Sequence, residues 1–360
     1  MKILLFIDSL ERGGAQRQFI ELVKGLYFKK EIQFELVLFS DNIHYTEIFN
    51  YDIKLHIFKR NGSIDFTLFR NILSVVTTFK PDVIHSWHFV CNYYLLPIII
   101  LKKIKFIDGS IRDANTIKPN QLRWYLNKIS FKLATKCVSN SRAGLKAYQC
   151  KNGLTIYNGI DLDRFSTQNN PTNYDEILKD KNNIIIAMVA RFGKSKDYNT
   201  YLSAANEITT LYKNVFFFAI GDGPFLKDFM NKFKGNNNII FTGRISNVEN
   251  IIIHVDVGVL LSDPRFHAEG ISNSIMEYMA AMKPVIASKS GGTPEIIVSK
   301  DIGIMVPPLS KENYKDAVMY LIENSRKRKE IGLNAYNHLV HNFSFKNMIN
   351  EYLKLYQRIY

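Results

Sequence analysis

The chain has 360 residues, long for a single domain and well suited to two. It is 46% hydrophobic and 22% charged, which excludes disordered and fibrous classes. Lys and Arg number 47 against 33 Asp and Glu, a net charge of +14, so an acidic partner is expected: nucleic acid, an anionic membrane face or a phosphate-bearing substrate.

The chain opens with KILLFI, an apolar run that stops at Asp8 and falls short of the about 7–15 residues of a signal-peptide core. It reads instead as a buried strand. Further strands are expected at 34–39, 54–58, 82–87 and 105–110, with helices at 15–27 and 66–79 between them. The longest apolar stretch, 89–101, contains Asn92 and ends in Lys102-Lys103; it is shorter than the ~20 residues of a membrane-spanning helix. In the second half, strands are expected at 183–190, 215–221, 239–243, 257–262, 284–288 and 303–307. Helices are expected there at 198–211, 224–233, 271–282 and 311–324. Alternation of strands and helices, with continuous Val/Ile/Phe runs, signals parallel sheets covered on both faces. Two such series make two Rossmann-like domains. The boundary falls at Asn158–Asp161 (NGID) and the polar stretch 166–176, giving domains of 1–162 and 163–343. A last helix, 344–360, carries Met348, Tyr352, Leu353, Leu355 and Tyr356 as an apolar face that must dock.

Charge is concentrated in the first half, where residues 1–160 hold 23 basic and 12 acidic side chains. No acidic residue occurs between Asp113 and Asp161, a gap containing Lys118, Arg123, Lys128, Lys132, Lys136, Arg142, Lys146 and Lys151. Within it, residues 121–136 form a helical pattern with Leu122, Tyr125, Leu126, Ile129 and Leu133 on one face and cations elsewhere. That face is expected to pack on its own domain and the basic side to meet solvent or an anionic leaflet. The cysteines, Cys91, Cys137 and Cys150, form neither a metal-ligand pair nor a disulfide framework, which suits a reducing cytosol.

Gly13-Gly14, after the first strand, would let backbone N–H groups approach an anion at a helix N-terminus; a tight turn without a ligand fits equally. Arg191 and Lys196 follow the first strand of the second domain, at the carboxyl edge where open α/β sheets bind ligands, and their cations suit a diphosphate. The densest stretch is 269–294, EGISNSIMEYMAAMKPVIASKSGGTP. Glu269 and Gly270 precede a helix, and Glu277 stands eight residues on. At helical rise that spacing spans ~12 Å, about the reach from a transferred sugar to the ribose of a sugar nucleotide. The N-terminus between them, with Ile271, Ser272, Asn273 and Ser274, would offer N–H groups to a pyrophosphate. Glu277 lies between apolar neighbours, where an unpaired carboxylate would be expensive.

GGAQR, NGID, Arg191-x4-Lys196, GDGP (221–224), TGR (242–244), Glu269-x7-Glu277 and GGTPE (291–295) occur in the order seen in retaining glycosyltransferases of family 4, and the chain resembles that family over nearly its whole length. The resemblance implies a GT-B fold: two facing Rossmann-like domains, a deep interdomain cleft, and a final helix that crosses back onto the first domain. It further implies retaining transfer from a nucleotide-sugar donor. Arg191 and Lys196 would hold the diphosphate and stabilise the leaving group, with Gly13 and Gly14 approaching the same phosphates. Glu269 would hold the sugar hydroxyls, Glu277 the ribose, and the backbone at Arg244-Ile245 would lie near the base. No metal or other cofactor is expected.

Where many members of the family carry a His after the fifth strand, this chain has Ser110-Ile111-Arg112. That version resembles a subgroup acting in surface-polysaccharide assembly. Arg112 is then a candidate for acceptor or donor-phosphate contact, and His85, Trp87 and His88 for the acceptor side; each also fits packing at a strand end. His267 would reach the donor sugar or lie idle in a surface loop, and Asp222 and Pro224 would shape a turn. The implied partners are a nucleotide sugar, a saccharide acceptor carried on a polyprenyl lipid, and the anionic cytoplasmic face of a membrane. Nucleic-acid binding leaves these motifs unexplained, since no zinc module, aromatic RNA-binding pair or helix-turn-helix accompanies them. A sugar-nucleotide 2-epimerase of the same fold is the nearer alternative.

Overall fold

The computed structural model of the chain describes residues 1–62, 64–116, 121–165 and 172–360. Lys118 and most of the polar boundary stretch, 166–171, lie outside the described residues. The chain divides into two compact units, one comprising Met1–Gly159 with Phe345–Tyr360, the other Ile160–Ser344. The division falls three residues before the boundary expected at 162.

The first unit is built on a seven-stranded parallel sheet: β1 (Lys2–Ile7), β2 (Gln33–Leu38), β3 (Leu55–Ile57), β4 (Val83–Ser86), β5 (Lys105–Ile111), β6 (Lys136–Ser139) and β7 (Gly153–Thr155), in the order β3-β2-β1-β4-β5-β6-β7. The second holds six parallel strands: β8 (Ile184–Val189), β9 (Val215–Ile220), β10 (Ile239–Gly243), β11 (Val257–Leu260), β12 (Val285–Ser288) and β13 (Ile304–Val306), in the order β10-β9-β8-β11-β12-β13. Helices cover both faces, so the central strands are apolar throughout rather than alternating. In each sheet the strand order reverses beside the first strand, between β1 and β4 and between β8 and β11. The crevice outside the carboxyl ends at such a reversal is where open α/β sheets bind ligands.

The final helix, Phe345–Ile359, buries Met348, Ile349, Tyr352, Leu355 and Tyr356 in the first unit. It seats against helix Gly14–Tyr27 at Gly25, where a Cβ would stand 2.2 Å from Cδ1 of Ile349. Glycine is therefore the residue that lets these two helices touch.

Several elements differ from the sequence-based expectation. β6 and β7 are short strands inside the basic gap, and Lys136 begins β6 instead of ending a helix. The helix there is Leu122–Leu133, and much of its expected apolar face turns outward: Leu122, Tyr125 and Ile129 are 74%, 49% and 47% exposed, with Leu126 and Leu133 half-buried. Its buried side is formed by Asn127, Ser130 and Phe131. Asn127 Oδ1 accepts from the Tyr93 hydroxyl at 2.9 Å, and the Ser130 hydroxyl donates to Asp108 Oδ2 at 2.5 Å. These polar anchors turn the helix over. Residues 89–101 lie in helix Phe89–Lys102, and a further helix, Ser325–Asn342, rests on a thin stripe of Ile331, Gly332, Ala335 and Leu339. Among the described residues no helix is long and apolar enough to cross a membrane.

Candidate active site

In the second unit, the loops after β8 and β11 meet at the strand-order reversal. Lys196 and Ser262 pair as an isolated antiparallel bridge, which brings the side chains of Lys196, Ser262 and Glu269 together. Lys196 Nζ forms an ion pair with Glu269 Oε1 and lies 3.5 Å from the Ser262 hydroxyl. The Ser262 hydroxyl donates to the same carboxylate oxygen at 2.7 Å, and His267 Nε2 stands 3.5 Å from Oε2. Glu269 is 8% exposed. Burial pushes its pKa up, but the Lys196 charge and the His267 hydrogen bond together outweigh burial and hold the carboxyl well below its ordinary range. Glu269 is thus a carboxylate, and Lys196 shares its charge with Glu269.

The glycine motifs explain how this cluster is held. Gly291 has φ +54°, and a Cβ there would lie 2.1 Å from the carbonyl oxygen of Glu269; Gly292 N donates to that oxygen at 2.8 Å. GGTPE therefore fixes the Glu269 backbone. GDGP does the same around Arg191. Gly221 (φ +145°) and Gly223 (φ +148°) press on the carbonyl oxygens of Ala190 and Phe192, at 2.0 and 2.3 Å from the positions a Cβ would take. Asp222 accepts from Phe192 N at 2.8 Å through its backbone, and its exposed side chain lies 3.6 Å from Arg244 Nη1. Arg191 is exposed and has no ion-pair partner among the described residues. Ile245 is half-buried beside the exposed Arg244.

Glu269 is not part of the following helix, which runs Asn273–Ala280 behind buried Gly270 and Ile271 and has Ser272 at its N-cap. The eight-residue spacing to Glu277 is therefore not a helical span, and the ~12 Å expected from helical rise does not apply. Glu277 is buried and ion-paired: Arg164 Nη2 donates to its Oε1 at 3.3 Å, while Arg164 Nε donates to Glu249 Oε1 at 2.8 Å. Arg164 and Glu249 carried no motif in the sequence; the only signal was that a buried Glu277 needed a cation. The helix is anchored by Tyr278, whose ring lies on Gly258 of β11 so closely that a Cβ there would be 2.1 Å from Cγ. The Tyr278 hydroxyl donates to Ala187 O at 2.8 Å and accepts from Val189 N at 2.9 Å.

The first-unit candidates separate. Gly13 is the extended N-cap of helix Gly14–Tyr27, and its carbonyl accepts from Arg17 N and the Tyr45 hydroxyl. Trp87 is 1% exposed, donates from Nε1 to Ala15 O at 3.0 Å and packs on Phe19 and Tyr352. It is core, and so is His85, which shares a 2.7 Å hydrogen bond with the Tyr356 hydroxyl. Burial, and then the charge of Arg112, keep the His85 pKa well below its ordinary value, so the ring is neutral at pH 7. Neither residue is placed to line a surface for an acceptor. His88 is partly exposed and lies 3.5 Å from Asp8 Oδ2. Arg112 stacks over Trp87 with its Cζ 3.4 Å from the ring centroid and donates from Nε to Gly109 O at 2.7 Å. The Trp87 ring thus supports Arg112 rather than a ligand.

Residues 169–338 match the family described as Glycosyl transferases group 1. An uncharacterized glycosyltransferase of Methanocaldococcus jannaschii is 28% identical over 244 residues, 65% of this chain and 61% of that protein, so the match spans under two thirds of that relative. The capsular polysaccharide biosynthesis glycosyltransferase CapM of Staphylococcus aureus is 24% identical, over 56% of this chain and 55% of its own. Among solved structures, Anabaena HepE in complex with UDP and glucose superposes with a TM-score of 0.83 over 99% of both chains at 18% identity, a likeness of fold. The second unit accordingly carries a glycosyl transferases group 1 domain, on a chain of GT-B fold.

Proposed function

We propose that the chain is a glycosyltransferase that moves a sugar from a nucleotide-sugar donor to a saccharide acceptor, with retention of anomeric configuration, in the assembly of a cell-surface polysaccharide. The observation that carries this reading is the Glu269 cluster: an ionised carboxylate fixed by Lys196, Ser262 and His267 at the β8/β11 reversal, with exposed Arg191 on the neighbouring loop. In this reading Glu269 accepts hydrogen bonds from the donor sugar beside its anomeric carbon. Arg191, with Lys196 and the N-terminus of helix Asn273–Ala280, meets the charge that develops on the departing nucleoside diphosphate, without a metal ion. Departure of that group and attack by the acceptor occur on one face of an oxocarbenium-like sugar. The relatives support the class: CapM is named for capsular polysaccharide biosynthesis, and HepE was solved with UDP and glucose.

The test is a thermal-shift screen against UDP-, GDP- and dTDP-sugars, followed by transfer assays in EDTA with Glu269→Ala and Arg191→Ala. One nucleotide class is expected to raise the melting temperature, with transfer to an acceptor abolished in both variants. Failure of every nucleotide sugar to bind, together with unimpaired polymer assembly in Glu269→Ala cells, would refute the reading. Turnover of the donor without any acceptor would favour the epimerase instead.

The acceptor is proposed to be lipid-linked and met at an anionic membrane face. Helix Leu122–Leu133 supports this: it turns Leu122, Tyr125 and Ile129 outward among Arg123, Lys128 and Lys132, in a stretch free of acidic residues. Apolar side chains that insert and cations near the headgroups, each worth about 1 kcal/mol, together favour such a surface. Co-sedimentation with vesicles containing phosphatidylglycerol, lost with pure phosphatidylcholine and in Leu122→Asp/Ile129→Asp, is the expected result. Binding indifferent to both would reject membrane docking.

A further inference from the structure

The pairing of Arg164 with Glu277 reaches further, and rests on the nucleotide-sugar reading above. Arg164 lies in the short 3-10 turn Leu162–Phe165, directly after the NGID motif. That turn packs on the short helix Glu249–Ile252, which in turn packs on the helix carrying Glu277. Arg164 donates from both Nε and Nη2 to Glu249 Oε1 and reaches Glu277 Oε1 with Nη2 at 3.3 Å. The three side chains are all largely buried.

This geometry gives each group a distinct task. Glu249 holds the guanidinium on two bonds, which fixes the plane of the fork. The remaining reach of the fork lands on one oxygen of Glu277. A carboxylate paired with a guanidinium only accepts hydrogen bonds. Its chemical complement is a pair of neighbouring hydroxyls, such as the diol of a ribose. We propose that Arg164 is a positioning residue: by orienting Glu277, it sets the preference of the donor site for ribonucleotides over nucleotides lacking ribose hydroxyls.

The experiment compares binding of UDP and 2′,3′-dideoxy-UDP to the full chain by titration calorimetry, or the corresponding GDP pair if GDP is the nucleotide bound. The wild type is expected to favour the ribonucleotide by roughly tenfold or more, the scale of a hydrogen bond to a charged group. Arg164→Ala and Arg164→Gln are expected to weaken UDP by about tenfold while leaving the dideoxy analogue unchanged, and Arg164→Lys to recover part of the difference. A parallel loss for both nucleotides would mark a merely structural residue and overturn the proposal. So would an unchanged ratio in any Arg164 variant that melts like the wild type. If the neutral variants do not fold, Arg164→Lys decides: the lost fork predicts a reduced ratio, and a wild-type ratio refutes it. A wild type that binds no nucleotide at all sinks the donor reading instead, so the two failures are told apart.

Discussion

Replacing Lys196 by Met tests the central electrostatic claim, because it removes the cation while keeping an unbranched side chain. Glu269 would then retain the Ser262 hydroxyl at 2.7 Å and His267 at 3.5 Å but lose its ion-pair partner. Breaking a buried pair costs about 3–5 kcal/mol when one charge is stranded. Two polar neighbours remain, and the Lys196 and Glu269 side chains are 15% and 11% exposed, so a smaller cost, about 2–3 kcal/mol, is expected here. For a domain of this size that corresponds to a fall of about 4–12 °C in Tm. The pH dependence supplies the sharper criterion. In the wild type the folded pKa of Glu269 lies below its ordinary value of 4.5, so its stabilising contribution is complete above 4.5 and declines as pH falls below it. Without Lys196, burial dominates and the folded pKa moves up. The stranded charge is then a penalty at pH 8 that protonation relieves as pH falls. The gap in Tm between wild type and Lys196→Met, read by calorimetry, should accordingly shrink from pH 8 to pH 5, and Lys196→Met/Glu269→Gln should recover part of it at pH 8. A gap that widened toward pH 5, or that was absent at both pH values, would refute the claim that Lys196 compensates Glu269.

Three other substitutions address how the site and the core are held. Gly291→Ala places a Cβ against the Glu269 carbonyl at a left-handed φ, a conformational cost of roughly 1–2 kcal/mol before the clash; transfer activity should fall more steeply than Tm, and an active variant would detach GGTPE from Glu269. Tyr278→Phe leaves Val189 N without its acceptor and should cost about 1–3 kcal/mol by urea denaturation, with weaker nucleotide binding because the helix carrying Glu277 loses its anchor. Gly25→Val separates the final helix from helix Gly14–Tyr27, so proteolysis should release C-terminal fragments faster than from the wild type; equal rates would deny the role given to Gly25.

The sequence made legible those features that depend on local pattern. Continuous apolar runs such as residues 184–189 and 215–220 identify buried parallel strands because both faces of the sheet are covered. β6 and β7 are not legible because each is short and lies among lysines, and only pairing in the sheet, β6 to β5 and β7 to β6, makes them strands. Helix Leu122–Leu133 is the more instructive case. Periodicity locates an apolar stripe, but the side that faces the protein was decided by Asn127 and Ser130, whose partners, Tyr93 and Asp108, are distant in sequence. Arg164 escaped for the same reason: its partners are 85 and 113 residues away. By sequence alone Trp87 and His85 fit either the acceptor side or packing at a strand end; the final helix, arriving from the other end of the chain, decides for packing by covering them with Tyr352 and Tyr356.

The glycine motifs carry a more general physical point about what a spacing records. Gly221, Gly223 and Gly291 each have a positive φ, and a Cβ on any of them would enter a backbone carbonyl: that of Ala190, Phe192 or Glu269. Those carbonyls flank Arg191 or belong to Glu269 itself. The glycines thus act on the two polar side chains through the backbone that carries them, pressing one loop against another so tightly that only hydrogen fits. Read as ligand-facing turns, GDGP and GGTPE would tolerate an alanine wherever a ligand left room. Read as clamps, they tolerate none even with the site empty, and the cost of substitution is present in the unliganded protein. The spacing between the motifs then measures the lengths of chain needed to bring β8, β9, β11 and β12 side by side, which is why the order of the motifs identifies the fold while the motifs themselves locate Arg191 and Glu269.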